Sequence, residues 1–513
     1  MKILRLLTAL GVIVSINACQ TDALEGLNAN NSNFRVTSGA AAPLTANDFN
    51  RLSPENQYAV ASKLLGTLYK GEPMHEFFDL KKGVQKLRPM HADFLNETVA
   101  QLNIRLDSRD SYAQLIEEKY AFNATRKPMA EPLAAMYELP VSRDQFEIWM
   151  AYTLANTILF SPAEEIDSAS HIDVQKVHAG LARAMARDDN IRQIILTHMK
   201  SEANWRRFRS PEDNTREMIE IYLGLFDRDE DVPKASKACK NWYLTDDTED
   251  YQLVVDLLDE NTEPQLVLDN KWVTTCDEFY AAIAQHPLVI PRITTVLVDH
   301  FFPTSTSEKR ATIVQSIVSS QPTHFKHIFI AMLFSKAYLL ENERPKRFEE
   351  AFFGTGGRIY WHANRDFFNN ITNLSTSTDF PTLAKMNQPA MTLKLGRWKD
   401  QPLDSLSFAV FHKGMREQLL LPRVSDKLNT GQRGWAPELL ENALFLTGDD
   451  FINYLFLSVA NRRASDEELK ALNDFISDKQ YDSNEIRKTQ IVFDYLSRLP
   501  ETYFLNKIED ASL

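Results

Sequence analysis

The chain has 513 residues, 44% of them hydrophobic and 10% aromatic, and carries 57 Lys plus Arg against 70 Asp plus Glu, for a formal net charge of −13. So acidic a body is a poor match for phosphate backbones and anionic lipid surfaces, and no nucleic-acid partner is expected. Only 16 residues are glycine, under half the usual share of about 7%; sheet-rich folds consume glycine in turns and bulges, so an all-α, multi-helical globular body is expected.

The chain opens with two basic residues, Lys2 and Arg5, followed by the apolar run Leu6 to Val14. A membrane-spanning helix needs about 20 apolar residues, so this run reads as an export signal over residues 1–18. Ile16-Asn17-Ala18-Cys19 resembles the bacterial lipobox. That resemblance implies a lipoprotein in which Cys19 receives a diacylglyceryl thioether and, after cleavage, an N-acyl chain. More than one acyl chain, palmitate for example, holds a protein stably on a bilayer. Gln20 stands where an aspartate would resemble an inner-membrane retention signal, which favours the outer membrane, facing the periplasm or the cell surface. Cleavage removes Lys2 and Arg5 and no acid, taking the charge from −13 to −15. Bilayer contact is then expected from the lipid alone.

Residues 19–44 hold Asn28-Ala29-Asn30-Asn31-Ser32-Asn33 and Gly39-Ala40-Ala41-Ala42-Pro43, with no apolar period, and are expected to be a flexible tether. A coil of that length reaches roughly 25–30 Å. Helix starts recur beyond it. Ser161-Pro162-Ala163-Glu164, Ser210-Pro211-Glu212-Asp213 and Ser465-Asp466-Glu467-Glu468 each pair an N-cap hydroxyl with an acid three residues on, and Ser53-Pro54-Glu55 is a looser version. Apolar stripes at helical spacing follow in Met218, Ile221, Tyr222 and Leu225, and in the stretches 144–160, 191–207, 313–340 and 438–459. So long a body exceeds one comfortable core, so two helical lobes are expected: a domain over 45–340, a loop-rich glycine-containing connection over 341–403 and a carboxy-terminal lobe over 404–513.

Cys239 and Cys276 are the remaining thiols. In an oxidising compartment they either form a disulfide or stay as two separate buried thiols. Closing the loop between them would add up to about 4 kcal/mol in the chain-entropy model. No CxxC, CxxCH or zinc-ligand spacing occurs, and no cofactor or metal is expected. Asp227, Asp229 and Asp231 copy the acids that open a calcium loop, but Val232 replaces its glycine and Ala238 its closing glutamate. The pairs His171 and His178, His198 and Glu202, and His324 and His327 make no three-ligand set. Neither a Gly-x-Ser-x-Gly elbow nor HExxH is present, so no catalytic residue is assigned.

The run from Arg207 through Asn214, Arg216, Glu217, Met218, Ile219 and Glu220 to Ile221 resembles the R-E-[LM]-[LIM]-E-[LI] part of the N-x-x-R-E-[LM]-[LIM]-E-[LI] signature of the bacterial family known as domain of unknown function 1800, with Asp213 in the place of its asparagine and Asn214 beside it. Asp231-Val232 leading to Asn241-Trp242, His286-Pro287 through Val298-Asp299-His300-Phe301, and the helix from Phe325 to Leu340 are similar to its next segments. The resemblance covers roughly residues 200–355. It implies an exported helical protein with a sulfatase-like companion as partner, and brings no established activity.

Two segments are candidate ligand sites. Arg216 and Glu217 either brace a capped helix against its neighbour or form a buried, ligand-binding charge network. Gly354, Gly356 and Gly357, followed by Arg358, Trp361, His362 and Arg365, form either an inter-lobe connection or a flexible cradle for an anionic or sugar ligand. Two functions follow: a lipid-anchored scaffold that binds a protein partner at the cell envelope, or an envelope hydrolase or binding protein for an anionic or carbohydrate ligand.

Overall fold

The computed structural model describes residues 36, 38–73, 87–107, 130–159, 171–245, 251–362, 368, 405–420, 434–435, 439, 446–477 and 484–509. Cys19, Arg365 and the helix start at Ser161 lie outside the described residues. The described chain is mostly helical. Its first helices are α1 (Ala46–Arg51), α2 (Pro54–Thr67), α3 (Phe94–Gln101), α4 (Ala130–Glu138), α5 (Arg143–Ala155), α6 (His171–Ala186) and α7 (Ile191–Met199). They are followed by α8 (Glu202–Arg207), α9 (Pro211–Leu223), α10 (Val232–Ala238), α11 (Cys276–Gln285), α12 (Val289–Phe301), α13 (Ser307–Ser319) and α14 (Phe325–Leu333). The last are α15 (Phe348–Arg358), α16 (Ser405–Gly414), α17 (Asp449–Ala460), α18 (Asp466–Ile476) and α19 (Glu485–Leu496). Among the described residues strands come as antiparallel pairs: β1 (Trp242–Leu244) with β2 (Leu253–Val255), β3 (Gln265–Val267) with β4 (Lys271–Val273), β5 (Arg344–Pro345) with β8 (Phe504–Leu505), and β6 (Trp361–His362) with β7 (Gly434–Trp435).

Local chemistry sets the helix ends. The hydroxyls of Ser53, Ser210 and Ser465 accept hydrogen bonds from the amides of Asn56, Asp213 and Glu468, satisfying donors that the first turn leaves open. Gly224, at φ +70°, closes α9 in the left-handed conformation that glycine tolerates best. The stripe 191–207 is split where Ser201 caps α8, and the stripe 313–340 is split between α13 and α14 by a segment containing Pro322, which cannot continue a helix.

Buried apolar side chains from Val36 to Tyr503 form one contiguous cluster. The expected division into two lobes is therefore replaced by shared packing: α15 lies against α2 on one side and α17 on another, while β5 pairs with β8 from the far end of the chain. The expected loop-rich connection is also corrected over its described part. Residues 344–358 form β5 and the buried helix α15, because Phe348, Phe352 and Phe353 enter the core and Glu350 accepts from the Arg347 amide at the helix start. The expected tether ends sooner than residue 44. Val36, Ala41 and Leu44 are buried, and the Leu44 amide donates to the Phe334 carbonyl at 2.8 Å while Lys336 donates to Ala42 at 2.9 Å. No single helix among the described residues is long and apolar enough to cross a membrane.

Candidate functional site

Cys239 caps the end of α10 and Cys276 begins α11, and their sulfurs are bonded with the Cα atoms 4.3 Å apart. Between them the chain makes two excursions, the β1–β2 and β3–β4 hairpins, packed on α8, α10 and α11. The inner residues of the second hairpin, Val267 and Val273, are buried, as strand alternation requires. Its outer face is apolar as well: Leu266 stands opposite Trp272 across the pair, and Trp272 is 67% exposed. Leu257 and Leu258, in the turn after β2, are 75% and 99% exposed, and Phe226, before α10, is 62% exposed. Of the eleven exposed large hydrophobic residues among those described, eight fall between Phe226 and Leu288. Ion pairs edge this region, with Lys237 on Glu263, Lys240 on Asp259 at 2.6 Å and Arg228 on Asp269 at 2.7 Å. Exposed apolar surface is thus concentrated on this part of the described protein and edged by charge.

The neighbouring α9 carries Arg216 and Glu217, and the expected buried network is not formed. Arg216 is on the surface, where it pairs with Asp229 and reaches Glu212 at 3.7 Å, so its charge is screened by water. Glu217 is half-buried; burial first, then the Glu220 and Asp213 carboxylates, push its carboxyl up to about 7. Of the three acids that copy a calcium loop, Asp231 is the buried one. It accepts from Arg228 at 2.6 Å and from the Leu268 amide at 3.2 Å, which pins the turn of the β3–β4 hairpin.

The glycine segment lies in α15, which packs on α2, α17 and β6, whereas α9 packs on α10, α11 and α12. Its glycines serve helix contact. A β-carbon at Gly357 would stand 2.7 Å from the Gly71 amide nitrogen, and one at Gly354 would stand 3.0 Å from the Gly66 Cα. Arg358 is buried and donates to Asn461 Oδ1 at 2.6 Å, Thr355 Oγ1 at 3.1 Å and the Val459 carbonyl at 3.3 Å. Trp361 is buried edge-on to Phe352, with ring centroids 5.0 Å apart. His362, the second residue of β6, is paired with Gly434. The flexible-cradle expectation thus gives way to a packed helix.

Around α15 the interior is rich in charge. Arg344 donates twice to Glu350 at 2.7 Å and to the Tyr338 hydroxyl at 2.8 Å, all buried. Burial pushes the Glu350 carboxyl up, but the facing Arg344 guanidinium outweighs it and holds the carboxyl below its ordinary range. Tyr152 donates to Glu349 at 2.5 Å, and Lys346 donates to the carbonyls of Glu501 and Thr502 at 3.2 and 3.0 Å. These contacts tie residues distant in sequence, and the Arg344 and Glu350 charges answer each other. Lys63 differs: its ammonium makes one protein hydrogen bond, to the Asn342 carbonyl at 2.9 Å, although it is only 3% exposed.

His178 is buried with Nε2 3.2 Å from the Ile148 carbonyl, and His198 is buried as well. His324 and His327 contact each other edge-on with centroids 5.2 Å apart. No group of three or more His, Cys, Asp or Glu among the described residues is placed to hold a metal ion. In an open groove of about 700 Å³ between α18 and α19, Arg416 and Arg498 both pair with Asp494. The hairpin face escaped sequence reading because strands of three residues leave almost no periodic signal; the adjacent Leu257-Leu258 within an acidic stretch was its visible trace. Comparison with protein-family models, with curated proteins and with solved structures finds no match to this chain.

Proposed function

We propose that this protein is an outer-membrane lipoprotein, anchored through Cys19, whose body holds a protein partner on the face formed by the two hairpins. The observation that carries the reading is the exposed Leu257, Leu258, Leu266 and Trp272 on an otherwise acidic body, inside a loop stapled at both ends by Cys239–Cys276. Aromatic and aliphatic anchors with a charged rim are what a protein interface uses, and a disulfide spares part of the ordering cost of docking. The sulfatase-like companion implied by the resemblance of residues 200–355 is the first partner to test.

The test is co-purification from gently solubilised membranes, comparing wild type with a Leu258→Asp, Trp272→Asp variant and with Cys19→Ala. The hairpin variant should stay in the membrane fraction and lose the partner, whereas Cys19→Ala should leave the membrane. Recovery of wild type as a lone monomer would remove the basis for a stable partner. Unchanged palmitate labelling of Cys19→Ala would remove the anchor.

A further inference from the structure

A cavity of about 190 Å³ lies between α2, the end of α17 and the segment that closes the chain, 501–509. Helix periodicity turns Asn56, Ala59 and Lys63 of α2 toward it at spacings of three and four residues. Asn461, in the left-handed conformation at φ 58°, and Arg462 contribute from beyond α17. The opposite wall is Glu501, Asn506 and Lys507, held in place by the β5–β8 pairing and by the Ile508 amide donating to the Leu340 carbonyl at 2.8 Å.

Two groups in this wall have capacity that the described protein does not use. The Lys63 ammonium has three donors and gives one, to the Asn342 carbonyl. Glu501 accepts from Arg462 at 2.8 Å through Oε1, an oxygen that can take a second donor. A buried ammonium with open donors is costly unless something polar meets it. Arg462 is already engaged by Glu468 at 2.7 and 2.9 Å as well as by Glu501, and Lys507 by Glu509 at 3.0 Å, so Lys63 is the basic group left to face an incoming anion. The volume equals that of about six liquid waters, which suits a single small molecule.

We propose that this cavity binds a small carboxylate that also carries a hydroxyl or ammonium donor, its carboxylate on Lys63 and its donor on the Glu501 carboxylate. The side-chain amides of Asn56, Asn461 and Asn506 supply further polar wall. The site is separate from the hairpin face and stands or falls independently of partner docking.

The experiment is thermal denaturation and calorimetric titration of the full-length chain with four probes: glucuronate, alanine, acetate and glucose. Glucuronate or alanine should raise the melting temperature and bind, the choice between them identifying the donor as hydroxyl or ammonium. Acetate, which lacks the donor, and glucose, which lacks the carboxylate, should bind at least tenfold more weakly. Lys63→Met should fold, since the ammonium makes only one hydrogen bond among the described residues and Met fills the same space, and should reduce affinity for the better probe at least tenfold. Lack of a shift with both donor-bearing carboxylates in wild type would overturn the proposal without reference to any variant. So would equal binding of acetate, or full affinity in a folded Lys63→Met protein.

Discussion

Cys239, directly after α10, is bonded to Cys276, the first residue of α11, so one covalent link closes the segment that carries both hairpins. The sequence separation is 37 residues, and in the chain-entropy model closing such a loop restricts the unfolded chain by up to about 4 kcal/mol. The Cys239→Ser, Cys276→Ser variant is therefore expected to lose roughly 2–4 kcal/mol in urea denaturation. Reductant should destabilise wild type in the same direction and leave the double variant unaffected. Partner capture should fall in the variant even at temperatures where it is folded, because the hairpin face is no longer held at both ends.

Gly357 sits where α15 crosses the chain just past α2, and a β-carbon there would collide with backbone: 2.7 Å from the Gly71 nitrogen and 3.0 Å from the Gly71 Cα. Backbone cannot swing aside as a flexible side chain can. Gly357→Ala should cost about 1–3 kcal/mol through overpacking. Gly66 is the internal control, because a β-carbon there meets nothing within 4 Å. Gly66→Ala should be neutral or add about 0.5–1 kcal/mol, the usual gain from replacing a helical glycine. Chemical denaturation of the two variants side by side reads the difference.

That pair of glycines also shows what was legible in the sequence and what was not. The helix starts at Ser53, Ser210 and Ser465 were plain, since a cap and its acid are local features read within four residues. The segment Gly354 to Gly357 reads as a loop by propensity, but propensity is a weak prior and tertiary contact overrides it. The close neighbours that require glycine at Gly354 and Gly357 lie some 290 residues away, in the backbone of Gly66 and Gly71. Lys63 is similar. On α2 it looks like an ordinary solvent-facing lysine, and only the fold, which brings the Asn342 carbonyl to its ammonium, shows it buried. Arg216, in contrast, belongs to a strong sequence pattern yet ends in an exposed pair with Asp229.

Glu217 should make stability fall as pH rises. Its folded-state carboxyl is raised to about 7 from 4.5, first by burial and then by Glu220 and Asp213. The folded protein thus holds a proton that the unfolded chain releases, so this contribution is complete below about 4.5 and lost as pH climbs through about 7. Glu217→Gln keeps the shape and removes the titration. It should match wild type near pH 4.5 and exceed it near pH 8, by less than about 1 kcal/mol because the side chain is half-exposed and screened. Melting temperatures of both proteins at the two pH values check this; an equal difference at both would show that the carboxyl does not titrate there.

His178 and His198 carry the opposite sign. Burial lowers both imidazoles from 6.5 to about 4, against the hydrogen bond from His178 to Ile148, which works the other way. Between those values the unfolded chain takes up protons that the folded protein refuses, so stability present above about 6.5 is lost progressively as pH falls toward 4. Each histidine should contribute a loss of up to about 1.4 kcal/mol per pH unit inside that window. Urea denaturation of wild type at pH 7.5, 6 and 5 should show the decline, and His198→Gln should reduce its slope by about one proton's worth while changing the value at pH 7.5 far less. A slope identical in wild type and in both single variants, His178→Gln and His198→Gln, would mean that neither ring stays neutral in the folded core.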